Sequence, residues 1–407
     1  MRYIFGLLFL GLLISCKNDT KDNNKLELET YRAWLPIQDN QEIPFIFKVE
    51  SNSLLKIFNA EETIVVDEIE YKGDSVYINL PVFKDYLVAK ITKENNLIGY
   101  YVSPDRNRKV PFRATYNDSI RFGTGTGAAY NIEGVWETVF SKGIEGDEYI
   151  AKGVFRQRDD GKVTGTFRTT TGDYRYLEGV LDGTRLKLST FDGAHAFYFT
   201  AKVTDSTMEG TFYSGNHWKE PFVAKRNENY ELPSANTLTY LKDGYDSLDF
   251  VFPNTSDELV GLKDDRFKDK VIVVQIMGTW CPNCLDESKY YADFYKSNKD
   301  KDLEFIALAF EYAKDKKTAF SRIDRLQSKI GIEYPILLAQ YGDADKSLAQ
   351  EKLPMLNHIL SYPTSIFIDK KGNVRKIHTG FNGPATGDKY IAFKNEFESF
   401  IAELLSE

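Results

Sequence analysis

Alternating apolar and polar positions dominate the first half of the chain and predict β-strands. The segments 45–49, 76–80 and 197–203 place apolar side chains at every second position, the period at which a strand presents one face. Turn sequences such as Asp182-Gly183 recur between these segments. No comparably long helical pattern interrupts them, so we expect an all-β region built as a sandwich or a barrel.

A polar, glycine-rich stretch at residues 121–127 divides this region into two units. We place a first β domain at residues 27–125 and a second unit, a β sandwich or barrel, at residues 126–227. A polar segment, residues 228–245, is the predicted linker to the rest of the chain. The β region carries no recognisable catalytic signature.

The pattern of apolar positions changes after the linker. Residues 246–407 alternate apolar strands with amphipathic helices, as an α/β domain requires. Asp388 is the expected N-cap of the last helix. The chain is therefore predicted to be multidomain, with an N-terminal all-β region followed by a C-terminal α/β domain. Strands are predicted at residues 271–277, 303–310, 334–339, 364–369 and 373–379, and helices at about 282–298, 315–330, 344–357 and 388–405.

Composition narrows the classes of function. The chain has 407 residues, a formal net charge of −8 and no long basic run, so binding to nucleic acid has no electrostatic support. This length allows real hydrophobic cores, so stability does not depend on disulfide staples. The chain contains only three cysteines, and they fall into two separate contexts.

The first cysteine belongs to a predicted targeting signal. A short apolar stretch covers residues 4–14. It overlaps a Leu-Ile-Ser-Cys sequence at residues 13–16, which resembles a bacterial lipobox. The resemblance implies a signal peptide at residues 1–15, a lipid anchor on the sulfur of Cys16, and a polar tether at residues 16–26. The alternative is an ordinary secretory signal. Either interpretation places the folded chain outside the cytoplasm, in an envelope compartment where disulfides persist.

The other two cysteines, Cys281 and Cys284, stand three positions apart where an apolar strand gives way to a predicted helix. A helix N-terminus favours the thiolate, and Pro282 suits the first helical position. Cys284 lies about one turn deeper on the same face. We therefore expect Cys281 to attack a substrate disulfide and Cys284 to resolve the mixed disulfide, so that the pair forms a redox disulfide.

Zinc binding, a purely structural disulfide and peroxidase chemistry fit the cysteine pair less well. A zinc site would need two more ligands, and an inert disulfide across so short a loop would add little stability. We therefore expect no metal. A peroxiredoxin would need Thr three residues before its reactive cysteine. That position holds Gly278 for Cys281 and Cys281 for Cys284, so the motif is absent. No ligand spacing is seen among the histidines, which are His195, His217, His358 and His378.

Several motifs together resemble the TlpA/ResA branch of extracytoplasmic, thioredoxin-like oxidoreductases. They are the segments 250–253, 267–270, 278–284 and 361–364, and the resemblance covers roughly residues 246–407. It implies a C-terminal thioredoxin-like fold, no cofactor, and a cis peptide bond before the proline at position 363.

The resemblance also implies roles around the cysteine pair. Pro363 should help to dock the substrate backbone, with Tyr362 and Thr364 beside it as substrate-binding residues. Trp280 should shield the disulfide and shape the docking surface. Glu287, three residues after Cys284, should influence thiol protonation. A solvated helix-surface position is the alternative for Glu287, and the neighbouring Asp286 is expected on the surface.

These features predict a lipid-anchored, extracytoplasmic thiol–disulfide oxidoreductase. Reduction of disulfides in envelope proteins is the direction that the resemblance implies, with electrons supplied by a membrane-embedded dithiol donor. The competing hypothesis is a surface-anchored binding protein in which the β region binds a partner and the thioredoxin-like domain is auxiliary.

Overall fold

The computed structural model describes residues 25–123 and 125–407. It confirms the predicted fold class, because two all-β units precede an α/β domain of thioredoxin type. The predicted signal peptide and its lipobox cysteine, Cys16, lie outside the described residues. Within the described part of the chain, no helix is both long and apolar enough to cross a membrane.

The first unit is a sheet of nine antiparallel strands in the order β4-β3-β2-β1-β9-β8-β7-β6-β5. Strand β2 shows why the alternating pattern forms a sheet, since Phe45, Phe47 and Val49 are all buried on its inner face. The strands are β1 (Thr30–Pro36), β2 (Glu42–Ser51), β3 (Leu54–Asn59), β4 (Glu62–Val66), β5 (Glu68–Lys72), β6 (Ser75–Asn79), β7 (Tyr86–Ile91), β8 (Leu97–Ser103) and β9 (Arg108–Tyr116).

The second unit is a closed barrel of eight antiparallel strands, which settles the choice between sandwich and barrel. Strand β10 closes the barrel by pairing with β17. Aromatic rings fill its interior, for example Phe199 and Phe212 with ring centroids 4.5 Å apart. The strands are β10 (Gly134–Phe140), β11 (Tyr149–Gln157), β12 (Lys162–Thr169), β13 (Leu177–Asp182), β14 (Arg185–Phe191), β15 (Ala196–Val203), β16 (Thr207–Ser214) and β17 (Trp218–Arg226).

The third unit, called here the redox domain, has a central sheet in the order β22-β21-β20-β23-β24. Strands β20, β21 and β22 run parallel, and β23 and β24 are antiparallel to their neighbours. Every residue of β20 is buried, as expected for a central strand covered on both faces. The strands are β18 (Val251–Pro253), β19 (Leu259–Gly261), β20 (Val271–Met277), β21 (Leu303–Glu311), β22 (Ile336–Tyr341), β23 (Thr364–Ile368) and β24 (Val374–Thr379), and the helices are α1 (Pro282–Ser297), α2 (Lys316–Ile330), α3 (Lys346–Lys352) and α4 (Asp388–Ser406).

Two predicted helix boundaries are wrong. The third helix was expected over 344–357 but ends at Lys352, because Pro354 disfavours helical backbone before it and the Gln350 amide donates to the Leu353 carbonyl at 3.0 Å. The N-cap of α4 is Gly387, with φ 57°, rather than Asp388, which is the first helical residue. Neither difference moves the cysteine pair.

Candidate active site

The cysteine pair lies at the start of α1, directly after the central strand β20. Cys281 is the N-cap, and its Sγ accepts a hydrogen bond from the Cys284 amide at 3.1 Å. Pro282 takes the first helical position, where no partner is lost with its missing N–H. The two cysteines form a disulfide, with their Cα atoms 5.2 Å apart. The unpaired amides of the helix start stabilise a thiolate on Cys281 once the disulfide is reduced.

The two sulfurs differ in burial. Cys281 is 6% exposed and Cys284 is fully buried at 0%. This difference in exposure agrees with a nucleophile at Cys281 and a resolving thiol at Cys284, because only the more exposed cysteine can meet a substrate. Even the outer sulfur is largely covered in this arrangement of the domains.

A cis peptide bond lies against the pair. The Tyr362–Pro363 bond is cis, which confirms the expected geometry at this position. The Tyr362 carbonyl oxygen is 3.5 Å from the Cys281 Sγ. The side chains beside the proline turn inward, since the Tyr362 hydroxyl donates to the Ala344 carbonyl at 3.3 Å and Thr364 is fully buried. In this arrangement, any contribution of the two residues to substrate binding comes from their backbone.

Trp280 forms one wall of the site. Its Nε1 donates to the Phe310 carbonyl at 2.9 Å, and its ring lies 4.6 Å from that of Tyr312 and 5.6 Å from that of Tyr362. The indole is half-buried, so it holds its place by packing while part of the ring remains open to solvent.

Glu287 is fully buried on α1, three residues after Cys284, which excludes the solvated position considered as its alternative. Its carboxylate accepts hydrogen bonds from Gln275 at 2.8 Å, Ser365 at 3.1 Å and Tyr291 at 3.2 Å. Burial raises the pKa of Glu287 to about 7, and these hydrogen bonds only partly oppose the shift. The group is therefore set to exchange a proton near neutral pH. Its action on the cysteines stays a prediction.

A second buried carboxyl group, Glu311, was missed by sequence reasoning. It ends β21 and accepts hydrogen bonds from the Thr279 amide at 2.8 Å and the Thr279 hydroxyl at 2.7 Å. Burial raises the pKa of Glu311 to about 7. It holds the short link between β20 and Cys281. The sequence did carry a signal for Glu311, because a charged residue at the end of a buried parallel strand lies at the carboxyl edge of the sheet, where functional sites form.

The expectation that Asp286 is a surface residue is wrong. Its carboxylate pairs with the guanidinium of Arg175, and the side chain is only 10% exposed. Arg175 belongs to the barrel and also contacts Glu62 of the first unit at 2.7 Å and Asp192 at 3.5 Å. The β region therefore reaches the redox site, a contact between residues 111 positions apart that local sequence cannot reveal.

Comparison with known proteins agrees with this geometry. Residues 242–391 match the redoxin family. The chain is 27% identical over 142 residues to the thiol-disulfide oxidoreductase ResA of Bacillus subtilis, which is 34% of this chain and 69% of that protein. It is 26% identical over 141 residues to the thioredoxin-like protein YneN of the same organism, covering 34% of this chain and 73% of that one. The chain spans about two thirds of these relatives.

Solved structures of similar domains include a putative protein disulfide isomerase from Bacteroides thetaiotaomicron, with a TM-score of 0.31 and 19% identity over 43% of this chain and 95% of that one. Another is a putative thiol:disulfide interchange protein DsbE from Chlorobium tepidum, with a TM-score of 0.30 and 18% identity over 40% of this chain and 99% of that one. From the family match, residues 242–391 of this chain are a redoxin domain, and this part of the chain is similar to curated thiol-disulfide oxidoreductases of the ResA type.

Proposed function

We propose that this chain is a lipid-anchored, extracytoplasmic oxidoreductase that reduces disulfides in envelope proteins. One observation carries the proposal. A Cys-x-x-Cys disulfide caps the first helix of a redoxin domain, with the carbonyl oxygen before a cis-proline 3.5 Å from its outer sulfur. This arrangement provides a nucleophilic thiolate and a resolving thiol within contact distance of each other.

The reaction is a pair of thiol–disulfide exchanges. The Cys281 thiolate attacks one sulfur of the substrate disulfide, so that a Cys281–substrate bond forms and the other substrate sulfur leaves as a thiolate. The Cys284 thiolate then attacks the Cys281 sulfur, closes the Cys281–Cys284 disulfide and releases the second substrate thiol. Two electrons pass from the enzyme dithiol to the substrate, and an external dithiol restores the reduced pair.

Glu287 supplies a proton acceptor in this scheme. Cys284 is buried, so its thiol must lose a proton to a group inside the domain before it attacks. Glu287 lies three residues further along α1 and has a pKa near 7, which suits exchange at neutral pH. Glu311 positions the chain just before Cys281 through Thr279 and acts as a positioning residue.

The anchor and the partners are further parts of the proposal. The lipobox supports acylation of Cys16, which would hold the protein at a bacterial membrane, with the periplasmic and outer surfaces as the candidate locations. Substrates would be disulfide-containing envelope proteins, and a membrane-embedded dithiol protein would supply electrons. Incorporation of a labelled fatty acid, lost in Cys16→Ser, is the measurement that checks the anchor.

Trapping experiments test the proposal most directly. In the native envelope, Cys284→Ser should accumulate mixed disulfides through Cys281, and mass spectrometry would identify the substrates. The double variant Cys281→Ser, Cys284→Ser is the matched control and should trap nothing. If Cys284→Ser traps no protein either, the competing hypothesis of a β region that binds a partner, with an auxiliary redox domain, gains support.

A further inference from the structure

A loop of the barrel lies against the redox site. Residues 170–176 connect β12 to β13 and are called here the barrel loop. The Ser361 hydroxyl donates to the Thr171 carbonyl at 2.7 Å, and the Asn283 side-chain amide donates to the Asp173 carbonyl at 3.2 Å. The barrel loop thus contacts both the segment before the cis-proline and the residues between the two cysteines.

The barrel loop also contacts a third segment of the redox domain. The Gly383 amide donates to the Asp173 carboxylate at 2.6 Å, and Asn382 accepts from Arg168 at 3.0 Å. Gly383 lies in the connection that follows β24. Three separate segments around Cys281 therefore face a single loop from another domain.

Glycines on both sides allow this close approach. A Cβ atom on Gly172 of the barrel loop would lie 2.3 Å from the Asn283 side-chain nitrogen and 3.3 Å from the Phe381 carbonyl oxygen. A Cβ atom on Gly380 of the redox domain, which has φ 77°, would lie 2.8 Å from the Thr171 backbone. A side chain on Gly380 would meet backbone, and one on Gly172 would have to displace the Asn283 amide that holds the loop and would press on the Phe381 carbonyl, so the fit depends on glycine in both domains.

Arg175, within the barrel loop, forms ion pairs that link the loop to the other two units of the protein. Its buried guanidinium joins three carboxylates, Asp286 on α1, Glu62 on β4 and Asp192 after β14. Every unit of the protein therefore contributes to one ionic cluster. Separation of the domains has to break the Arg175–Asp286 ion pair together with the hydrogen bonds of the barrel loop, while Glu62 and Asp192 stay with Arg175.

The barrel loop turns two backbone carbonyl groups toward the redox domain, although the loop itself is a turn closed by the hydrogen bond from the Thr169 amide to the Gly172 carbonyl at 2.7 Å. The carbonyl groups of Thr171 and Asp173, two residues apart, both accept hydrogen bonds from the redox domain. Positions i and i+2 of an extended chain face the same side, which is how a strand-like peptide docks on a protein. An extended segment of another protein could use the same two donors, Ser361 and Asn283.

We propose that the barrel loop is an internal competitor for the substrate site. An extended segment of a disulfide-bearing protein displaces the loop, takes over the hydrogen bonds of Ser361 and Asn283, and so brings its disulfide to Cys281. The proposal rests on the proposed function. The loop contacts residues on both sides of Cys281, a residue that is 6% exposed and has to meet a protein disulfide. Small thiol reagents need less room and depend less on displacement of the loop.

Alkylation of the reduced full-length protein tests whether the barrel loop limits access to Cys281, and it does not require the enzyme to reduce a substrate. N-ethylmaleimide is compared with a maleimide that carries a long poly(ethylene glycol) chain, and peptide mapping separates label on Cys281 from label on Cys16. The variant Gly172→Leu forces a side chain into the contact. We expect labelling of Cys281 by the bulky reagent to accelerate roughly tenfold or more, as the open population rises, with a smaller change for N-ethylmaleimide.

Matched variants separate loop displacement from general damage. Gly143 also has positive φ, 79°, but open space around its Cβ position, so Gly143→Leu should leave labelling unchanged. Asp286→Asn weakens the ion pair with Arg175 and should act like Gly172→Leu, whereas Asp293→Asn on the exposed face of α1 should not. Circular dichroism checks that each variant is folded. Unchanged bulky labelling in both Gly172→Leu and Asp286→Asn would overturn the proposal.

Turnover of two disulfides then distinguishes this proposal from the proposed function. In Gly172→Leu and Asp286→Asn, reduction of insulin should accelerate several-fold, and reduction of a small aromatic disulfide should change less. Slower insulin reduction together with faster bulky labelling would show that the loop helps to bind substrate and would reject competition. If wild type reduces neither disulfide above the Cys281→Ser level, the proposed function fails, while the labelling result still decides whether the loop covers Cys281.

Discussion

The barrel and the redox domain differ in what lies at the centre of their interiors. Aromatic rings cluster in the barrel, where Phe199 lies within 6.4 Å of the rings of Phe140, Phe167, Phe212 and Phe222. The redox domain instead places polar groups beneath its catalytic helix, in a network centred on a fully buried carboxyl group. The aromatic cluster stabilises the barrel, whereas the buried carboxyl group of Glu287, three residues after Cys284 on α1, lowers the stability of the redox domain when it is ionised.

The energetic reason lies in solvation. Burial of aromatic rings is favourable at every pH, because no charge is removed from water. Burial of Glu287 is unfavourable for its ionised form, since its hydrogen-bond donors are the neutral groups of Gln275, Ser365 and Tyr291. A group in such a position indicates a role in chemistry rather than in folding.

The largest effect should come from the nucleophile. Cys281→Ser should lower insulin reduction to the rate of dithiothreitol alone, because serine cannot form the mixed disulfide. The readout is the turbidity of precipitating insulin chains. If Cys281→Ser kept the wild-type rate of insulin reduction, the assignment of the reaction to Cys281 of the redox domain would be wrong.

A core substitution in the barrel should affect stability and spare the chemistry. Phe199→Ala should lower the free energy of unfolding by about 3–5 kcal/mol, since a fully buried ring leaves a cavity. Guanidinium unfolding measures the loss, with Ile150→Ala on the outer surface of the barrel as the control of smaller effect. Reduction of a small disulfide per folded molecule should match wild type, and a parallel loss of that activity would show that the two interiors are coupled.

The pH dependence of stability sharpens the contrast further. The pKa values of Glu287 and Glu311 are about 7 in the folded protein, above the ordinary value of 4.5, so the folded state holds their protons more tightly. Each group should therefore lower the free energy of unfolding as pH rises from about 5 to 7, by up to about 1.4 kcal/mol per pH unit. Denaturant midpoints measured across this range check the slope.

Glu287→Gln tests the assignment of that slope to one group. The variant should remove the contribution of Glu287, so that the free energy of unfolding falls less steeply between pH 5 and 7. Glu403→Gln, on the solvent face of α4, is the control. An identical slope in Glu287→Gln and wild type would mean that this carboxyl group does not retain its proton in the folded state.

The smallest effect should come from substitution of Trp280, whose ring lines the site. Trp280→Phe keeps an aromatic ring but loses the hydrogen bond to the Phe310 carbonyl, a change of about 0.5–1.5 kcal/mol in the free energy of unfolding. We expect insulin reduction to fall by a few-fold at most. A much larger loss of activity at unchanged stability would assign Trp280 a direct part in substrate docking.

Sequence reasoning succeeded where the signal was local. Strand β20 was predicted at its observed bounds, because seven consecutive residues are dominated by apolar side chains and are followed by the cysteine motif. The start of α1 at Pro282 and the cis bond at Pro363 were also predicted correctly. Each of these depends on neighbouring residues or on a compact motif, so one sequence carries enough information.

It failed where distant parts of the chain meet. Asp286 could not be placed, because its partner Arg175 belongs to a different domain and lies in a loop without a motif. The alternating pattern also fits an open sandwich as well as a closed barrel, and only the pairing of β10 with β17 decides between them. Glu311 went unnoticed because a single carboxylate at a strand end has many possible roles.

The closure of the barrel has a consequence for the order of assembly. Strand β17 ends at Arg226, so the barrel is complete before the redox domain, which begins about twenty residues later, has left the ribosome or the export channel. Arg175 then already has Glu62 and Asp192 within reach and lacks only the carboxylate of α1. We therefore expect Asp286 to complete the cluster when the redox domain docks on a barrel that is already folded, so that the barrel provides a preformed surface for the last domain to fold against.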